Sequence, residues 1–192
     1  KTMFYDVMIV GAGPGGIFSA YELMKLNPSL KVAVLEAGRP LSGRKCPIDR
    51  KKNKNRIGFS PCSIMNGCGG AGAFSDGKYN ITNNFGGTLY EYIGKDEALS
   101  LMRYVDEINL NMGGLGTKLY STSNSKIKTL CVQNNLHLLD ASVRHLGTDI
   151  NYVVLQNLYD TLKDKVDFHF LATVEKVEKT DSGYRLYTNK EA

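Results

Sequence analysis

Gly11, Gly13 and Gly16 stand in IVGAGPGG, residues 9 to 16, and an acid, Glu36, follows twenty residues after Gly16. Glycines carry no side-chain chemistry. What this spacing offers is backbone: space for a phosphate to come close, and free N–H groups to bind it. Gly11 permits a tight turn. Gly13 has no Cβ where a pyrophosphate would pass. Gly16 lets a helix lie against a strand. Pro14 and Gly15 complete the loop, and the positive end of the helix dipole adds to the pull on an anion. A carboxylate at Glu36 accepts hydrogen bonds from a ribose diol and repels a 2′-phosphate. The plain alternative is a glycine-rich turn between packed elements, and only the flanking elements can decide between the two.

A second glycine-rich stretch, SIMNGCGGAGAFSDGKYNITNNFGG, begins at Ser63. Gly69, Gly70 and Gly72, with Ala71 among them, allow backbone to run against a ligand or another strand. Ser75, Asp76 and Lys78 follow as polar groups. Asp76, Lys78 and His145 are candidates for lining a reaction site, each with a structural role as its alternative. Cys46, Cys62 and Cys68 flank this loop, and Cys131 lies far along the chain. Five residues separate Cys62 from Cys68, which is not the spacing of a zinc site, and a redox-active pair competes with ordinary thiols. No metal site is expected. His137 and His169 have no partner at ligand spacing.

These loops need elements to hold them. YDVMIV, from Tyr5, is short, apolar and β-prone, and reads as a buried strand. Ile17, Ala20, Tyr21 and Met24 fall at helical spacing. Lys31 to Leu35 read as a second strand ending in Glu36, which completes a strand–helix–strand unit. Little periodicity follows between Ala37 and about Lys95, and a loop that long points to function. A helix is expected from Asp96, capped by that residue, with Ala98, Leu101, Met102 and Val105 on one face and Gly113–Gly114 as its stop. A weaker helix spans about Ser125 to Gln133, and HLLDASVRHL reads as extended. Thr148 or Asp149 caps a further helix with Ile150, Val154, Leu158 and Leu162 as its buried stripe. Val166, Phe168 and Phe170 then alternate as a strand, with His169 on its exposed side. Asp181–Ser182–Gly183 turns the chain into a hairpin. A doubly wound sheet is not expected to stop on one hairpin, so the chain reads as the first part of a longer polypeptide.

The fold class expected is α/β: a Rossmann-like parallel sheet with a hairpin and an inserted α+β segment, incomplete. The parts are residues 1–43, the first portion of a dinucleotide-binding domain; 44–147, the glycine-rich loop and an inserted, substrate-side segment; and 148–192, the return to the first domain.

Composition narrows the class. Hydrophobic residues make up 42% and charged residues 22%, as in ordinary globular proteins. No apolar run reaches the ~20 residues that would span a bilayer. The few residues before the first strand leave no room for a signal peptide, and four cysteines beside a nucleotide fold point to a reducing cytoplasm. The net charge of +5 is local: residues 44 to 56, RKCPIDRKKNKNR, hold seven Lys or Arg and one Asp. That run is either a solvated loop or an electrostatic contact for RNA through residues such as Lys51, Lys52 and Lys54. It lacks interleaved aromatics, so nucleic acid is the weaker choice.

YDVMIVGAGPGG, VLEAGRP and FHFLATVEKVEKTDSGYRL together resemble FAD-dependent oxidoreductases of the glutathione-reductase-like superfamily. CPI, PCSIMNGCGGAGAFSDGKYN and RHLGTD resemble a narrower bacterial group of FAD-dependent dehydrogenases whose reaction is not assigned. The resemblance implies that Gly11, Gly13, Gly15 and Gly16 line the FAD pyrophosphate, that Glu36 binds the adenosine ribose, and that Arg39 reaches a phosphate or ribose. It implies backbone contact from Val174 to the adenine, and a path under the flavin side for GGAGAFSDGK. Such proteins also carry a later Ala-Thr-Gly-like strand and a Gly-Asp motif, neither of which occurs here. The activity implied is hydride transfer through flavin to or from an unknown small molecule, with NAD(P)H as a co-substrate. Two alternatives stand beside it: a flavin-dependent RNA-modifying or RNA-binding protein, and a plain NAD-binding dehydrogenase domain. The fingerprint alone fits FAD or NAD, but the long excursion before a third parallel strand near residue 166 fits FAD better.

Overall fold

The structure is a computed structural model and describes residues 2–45, 62–123 and 125–190. It divides into two compact units, one of residues up to 74 together with 155 onward, the other of residues 75–154.

The first unit is built on the strand–helix–strand pattern. β1 (Val7–Val10) leads through the glycine loop into α1 (Pro14–Leu26) and on to β2 (Val32–Glu36). α1 buries Ile17, Ala20 and Met24, three of the residues at helical spacing. β2 is apolar on both faces, as a strand covered from two sides must be. β1 and β2 pair in parallel with Val7 opposite Val32. The third parallel strand arrives only after the long excursion: α5 (Gly147–Leu162) delivers the chain to β6 (Asp167–Phe170), which pairs with β2, Glu36 opposite Phe170. The sheet order is therefore β1-β2-β6. The last turns of α5 seal it. Leu158 and Leu162 are buried, and the Tyr159 ring packs edge-on to Phe168 with centroids 5.0 Å apart. A hairpin, β7 (Val174–Thr180) and β8 (Gly183–Thr188), completes this unit. This is the α/β fold with a Rossmann-like parallel sheet expected above.

The second unit holds a three-stranded antiparallel sheet, β3 (Lys78–Ile81), β4 (Leu119–Ser121) and β5 (Ser142–His145), in the order β3-β5-β4. Its helices are α2 (Leu89–Ile93), α3 (Lys95–Asn109) and α4 (Lys126–Gln133), and the first half of α5 belongs to it. Several details differ from expectation. α3 is capped by Gly94, not Asp96, which lies in its first turn, and Leu101 is 42% exposed. The helix stops by widening into a π-helical turn, Leu110–Gly114, with Gly113 at φ +125°. α5 starts at Gly147, so Thr148 and Asp149 sit inside its first turn. α4 covers the span expected of it, and the Ser125 side chain caps it by accepting from the Lys128 N–H. No helix among the described residues is long and apolar enough to cross a membrane.

Candidate functional site

The site is assembled in the first unit, where the two glycine loops meet. Gly11 leaves β1 at φ +100°, a left-handed turn open to glycine. Gly13 then caps α1 in an extended conformation with no side-chain cap, and no acid occupies the first turn. The N–H groups of Gly15 and Gly16 have no intrahelical acceptor, and none elsewhere among the described residues. They are two free donors at the positive end of a thirteen-residue helix. At Gly16 an added Cβ would lie 1.9 Å from the Gly11 carbonyl oxygen, so this glycine is required by helix–strand contact. At Gly13 an added Cβ would meet nothing nearer than the Gly70 Cα at 4.0 Å. That is ordinary van der Waals contact; the open position is Gly15, where an added Cβ would meet nothing within 4 Å.

The second glycine loop forms the facing wall. The Gly69 N–H donates to the Ala12 carbonyl at 2.8 Å, and a Cβ on Gly70 would touch Pro14 Cδ at 3.2 Å and Gly13 Cα at 3.3 Å. Gly67, Gly69 and Gly70 all take positive φ, at +120°, +84° and +62°. Ala71 starts a short 3-10 turn, Ala71–Phe74, and is exposed. The Cys68 N–H donates to the Arg39 carbonyl at 3.0 Å, which ties the second loop to the segment after β2.

Glu36 lies between these pieces. The residue is 7% exposed, and its carboxylate accepts from the Ala12 N–H through Oε2 and the Gly38 N–H through Oε1, both at 2.7 Å. The acid at the tip of β2 thus holds the turn of the first glycine loop. The backbone after β6 closes on the same place: Leu171 and Ala172 donate to the carbonyls of Gly38 and Glu36, each at 2.9 Å. Leu171 takes φ +56°, unusual for a bulky residue, to do so. Arg39 is exposed. Val174 opens β7 and pairs with Thr188.

Arg44 is the residue that charge counting misjudges. It heads the basic run, yet it is 3% exposed. Nε donates to the Ser63 carbonyl at 2.9 Å, Nη2 to Ile64 at 2.6 Å, and Nη1 to Cys68 at 2.6 Å and Gly70 at 2.7 Å. The guanidinium also sits over the Phe74 ring, 4.8 Å from its centroid. Burial lowers its pKa from the usual value, but a guanidinium keeps its proton in proteins. Arg44 therefore does not belong to a solvated basic surface. Residues 46–61, with Cys46, Lys51, Lys52 and Lys54, lie outside the described residues. Cys68 is fully buried, and burial pushes its thiol up to about 11, away from the reactive thiolate.

The second unit brings Asp76, Lys78 and His145 together. Lys78 Nζ donates to Asp76 Oδ2 at 2.8 Å, and Lys78 stands opposite His145 across β3 and β5. Asp76 and Lys78 are exposed, and the Lys78 hydrogen bond, then its charge, holds the Asp76 carboxyl below its usual range. Beside them are two arrangements not foreseen. Arg144 grips Asp106 through Nε at 2.6 Å and Nη2 at 2.8 Å, both residues buried. Tyr79 donates to Asn151 at 2.7 Å. A groove of about 220 Å³ runs along Tyr79, Ile81, Leu89, Leu101, Met102 and Val105. His169 is half-buried, with Nε2 3.1 Å from the Tyr5 hydroxyl. No group of His, Cys, Asp and Glu among the described residues could hold a metal ion.

No family model matches the chain, and no curated protein does. Solved structures do. A glycine oxidase from Geobacillus kaustophilus aligns at a TM-score of 0.51 and 15% identity, over 98% of this chain and 52% of that one. THI4 from Thermovibrio ammonificans aligns at 0.40 and 13%, over 95% and 45%. The halogenase PltM, in complex with phloroglucinol and FAD, aligns at 0.42 and 16%, over 98% and 32%. The likeness to the glycine oxidase establishes the fold. The chain spans about half the length of the first two of these structures or less.

Proposed function

We propose that this chain binds FAD at its first glycine loop, which the second loop backs, and serves an FAD-dependent oxidoreductase acting on a small molecule. One observation carries the reading. The first loop presents two free N–H donors at a helix start, and beside them Gly15 faces open space, where an added Cβ would meet nothing within 4 Å. A dinucleotide pyrophosphate has the charge and the slenderness for this place.

When bound, the flavin ring accepts or donates the hydride. The chain's own residues bind and orient. Gly15 and Gly16 offer N–H groups to the phosphates. Glu36 fixes the turn through Ala12 and Gly38, and its remaining lone pairs are the proposed acceptors for a ribose diol. Arg39 is the proposed phosphate or ribose contact, and the Val174 backbone the adenine contact. Asp76, Lys78 and His145 are proposed for the substrate side. There Asp76, held ionised by Lys78, accepts hydrogen bonds and supplies no proton near neutral pH. NAD(P)H is the proposed source of reducing equivalents. β1 is an outer strand of the described sheet with Val10 60% exposed, and the partner proposed for that edge is the remainder of a longer polypeptide.

The test is a visible absorbance spectrum of the purified protein before and after adding FAD, with the released cofactor identified by chromatography. Flavin bands and a released FAD peak are expected. A colourless protein that ignores FAD but takes up NAD overturns the reading in favour of a plain dehydrogenase domain.

A further inference from the structure

We propose that Arg44 is the positioning residue of the cofactor cradle: its buried guanidinium sets where Gly70 stands opposite Gly13. The proposal rests on the FAD reading above and adds a residue that neither the glycine fingerprint nor the acid at the end of β2 includes.

The reasoning begins with the backbone. Between Ser63 and Gly70 the chain reverses through left-handed glycines, and no helix or sheet ladder is available to its carbonyls. Buried carbonyls left unpaired are costly. Arg44 reaches the carbonyls of Ser63, Ile64, Cys68 and Gly70 at 2.6–2.9 Å, while Phe74 backs its planar face. One side chain does for this reversal what hydrogen-bond ladders do elsewhere. Among the described residues no carboxylate forms an ion pair with it, so its donors go to backbone alone.

The last of those carbonyls belongs to Gly70, whose backbone packs against Gly13 and Pro14 of the first glycine loop. A shift at Arg44 therefore moves the backbone that supports the first glycine loop, where the pyrophosphate is placed. Glu36 does the complementary work on the first loop, collecting N–H groups where Arg44 collects carbonyls. Lysine cannot replace this arginine. Its ammonium is a point charge with three donors on one atom, without a planar fork to reach four separated carbonyls or to stack on Phe74.

The experiment measures the FAD dissociation constant by flavin fluorescence quenching for wild type, Arg44→Lys, Arg44→Ala and Phe74→Leu, with far-UV circular dichroism alongside. Both Arg44 variants are expected to bind at least about tenfold more weakly with an unchanged dichroism spectrum. Phe74→Leu, which keeps the fork and removes only the ring, is expected to bind about two- to fivefold more weakly. Millimolar guanidinium is expected to restore binding in Arg44→Ala and to leave wild type unaffected, whereas methylammonium restores nothing. A loss of global stability alone would not respond to that choice of cation. Wild-type affinity in Arg44→Lys overturns the proposal, and so does a folded Arg44→Ala that guanidinium does not rescue. Should Arg44→Ala fail to fold, wild-type affinity in Phe74→Leu together with Arg44→Lys overturns it. A wild-type protein that takes up no FAD removes the underlying reading and this proposal with it, an outcome visible before any variant is made.

Discussion

Alanine at Gly13 and alanine at Gly16 add the same methyl group three residues apart on one loop, and the structure predicts opposite outcomes. Gly13 is extended, at φ −70° and ψ −178°, a conformation any residue adopts. Its new Cβ would approach nothing closer than 4.0 Å. Without ligand the variant should be as stable as wild type, or more stable by up to about 1 kcal/mol, because alanine narrows the unfolded ensemble. The methyl group would fill the space assigned to the pyrophosphate. Forcing a ligand past it costs about 1–3 kcal/mol, roughly a five- to 150-fold loss in FAD affinity.

Gly16 is the reverse case. Its new Cβ would stand 1.9 Å from the Gly11 carbonyl oxygen and 3.3 Å from Ile9 Cγ2. A backbone oxygen cannot rotate aside, so α1 must lift from β1. A clash with a backbone oxygen puts the overpacking cost at the upper end of its range, about 2–3 kcal/mol, and the better helix propensity of alanine returns about 1 kcal/mol. A net loss of about 1–2 kcal/mol lowers Tm by roughly 2–8 °C in a protein of this size. The assay pairs thermal circular dichroism without ligand with a fluorescence titration of FAD. Gly13→Ala binding FAD as wild type does would refute the phosphate assignment. Gly16→Ala with an unchanged Tm would refute the account of helix–strand contact.

Two further predictions concern buried ionisable groups. Glu36→Ala strips the acceptor from two N–H groups and should cost about 2–4 kcal/mol by urea unfolding, whereas Glu36→Gln, which keeps one acceptor, should cost less; equal stability of all three proteins would mean that the carboxylate does not hold the turn. Cys68 has its thiol raised from 9.0 to about 11, so the unfolded chain loses that proton first as pH rises. The stabilisation is whole below pH 9 and falls by about 1.4 kcal/mol per pH unit as pH rises from 9 to 11. Cys68→Ala should flatten that decline in chemical unfolding curves, the residual slope including Tyr5, Tyr79 and Tyr159, whose hydroxyl pKa values burial also raises; an identical slope in the variant would count against the burial of this thiol.

The strand–helix–strand unit was legible because its signals are local. The apolar run before Gly11, the helical spacing of Ile17, Ala20 and Met24, and the second run ending at Glu36 all lie within about thirty residues. β6 was legible too, since Phe168 and Phe170 alternate with polar neighbours. β3 and β4 were not: KYNI and LYS are too short to show a period, and each finds its partner only across a distant pairing with β5. Glu36 was read for its free carboxylate, whereas the fold first uses that carboxylate on its own N–H groups.

Arg44 was hidden for a different reason. A cation among RKCPIDRKK counts as one more solvated charge, and nothing in its neighbours marks it as the one that turns inward. What distinguishes it is the segment it serves. Ser63 to Gly70 offers glycines at Gly67, Gly69 and Gly70 but no pattern by which its carbonyls could pair with a strand or helix, so their partner had to be a side chain with several donors. A long glycine-rich reversal next to a nucleotide loop thus raises the question of which nearby arginine satisfies it. Here that arginine lies eight residues beyond the acid at the end of β2, and the two buried charges hold the two glycine loops that meet there, Glu36 by N–H groups and Arg44 by carbonyls.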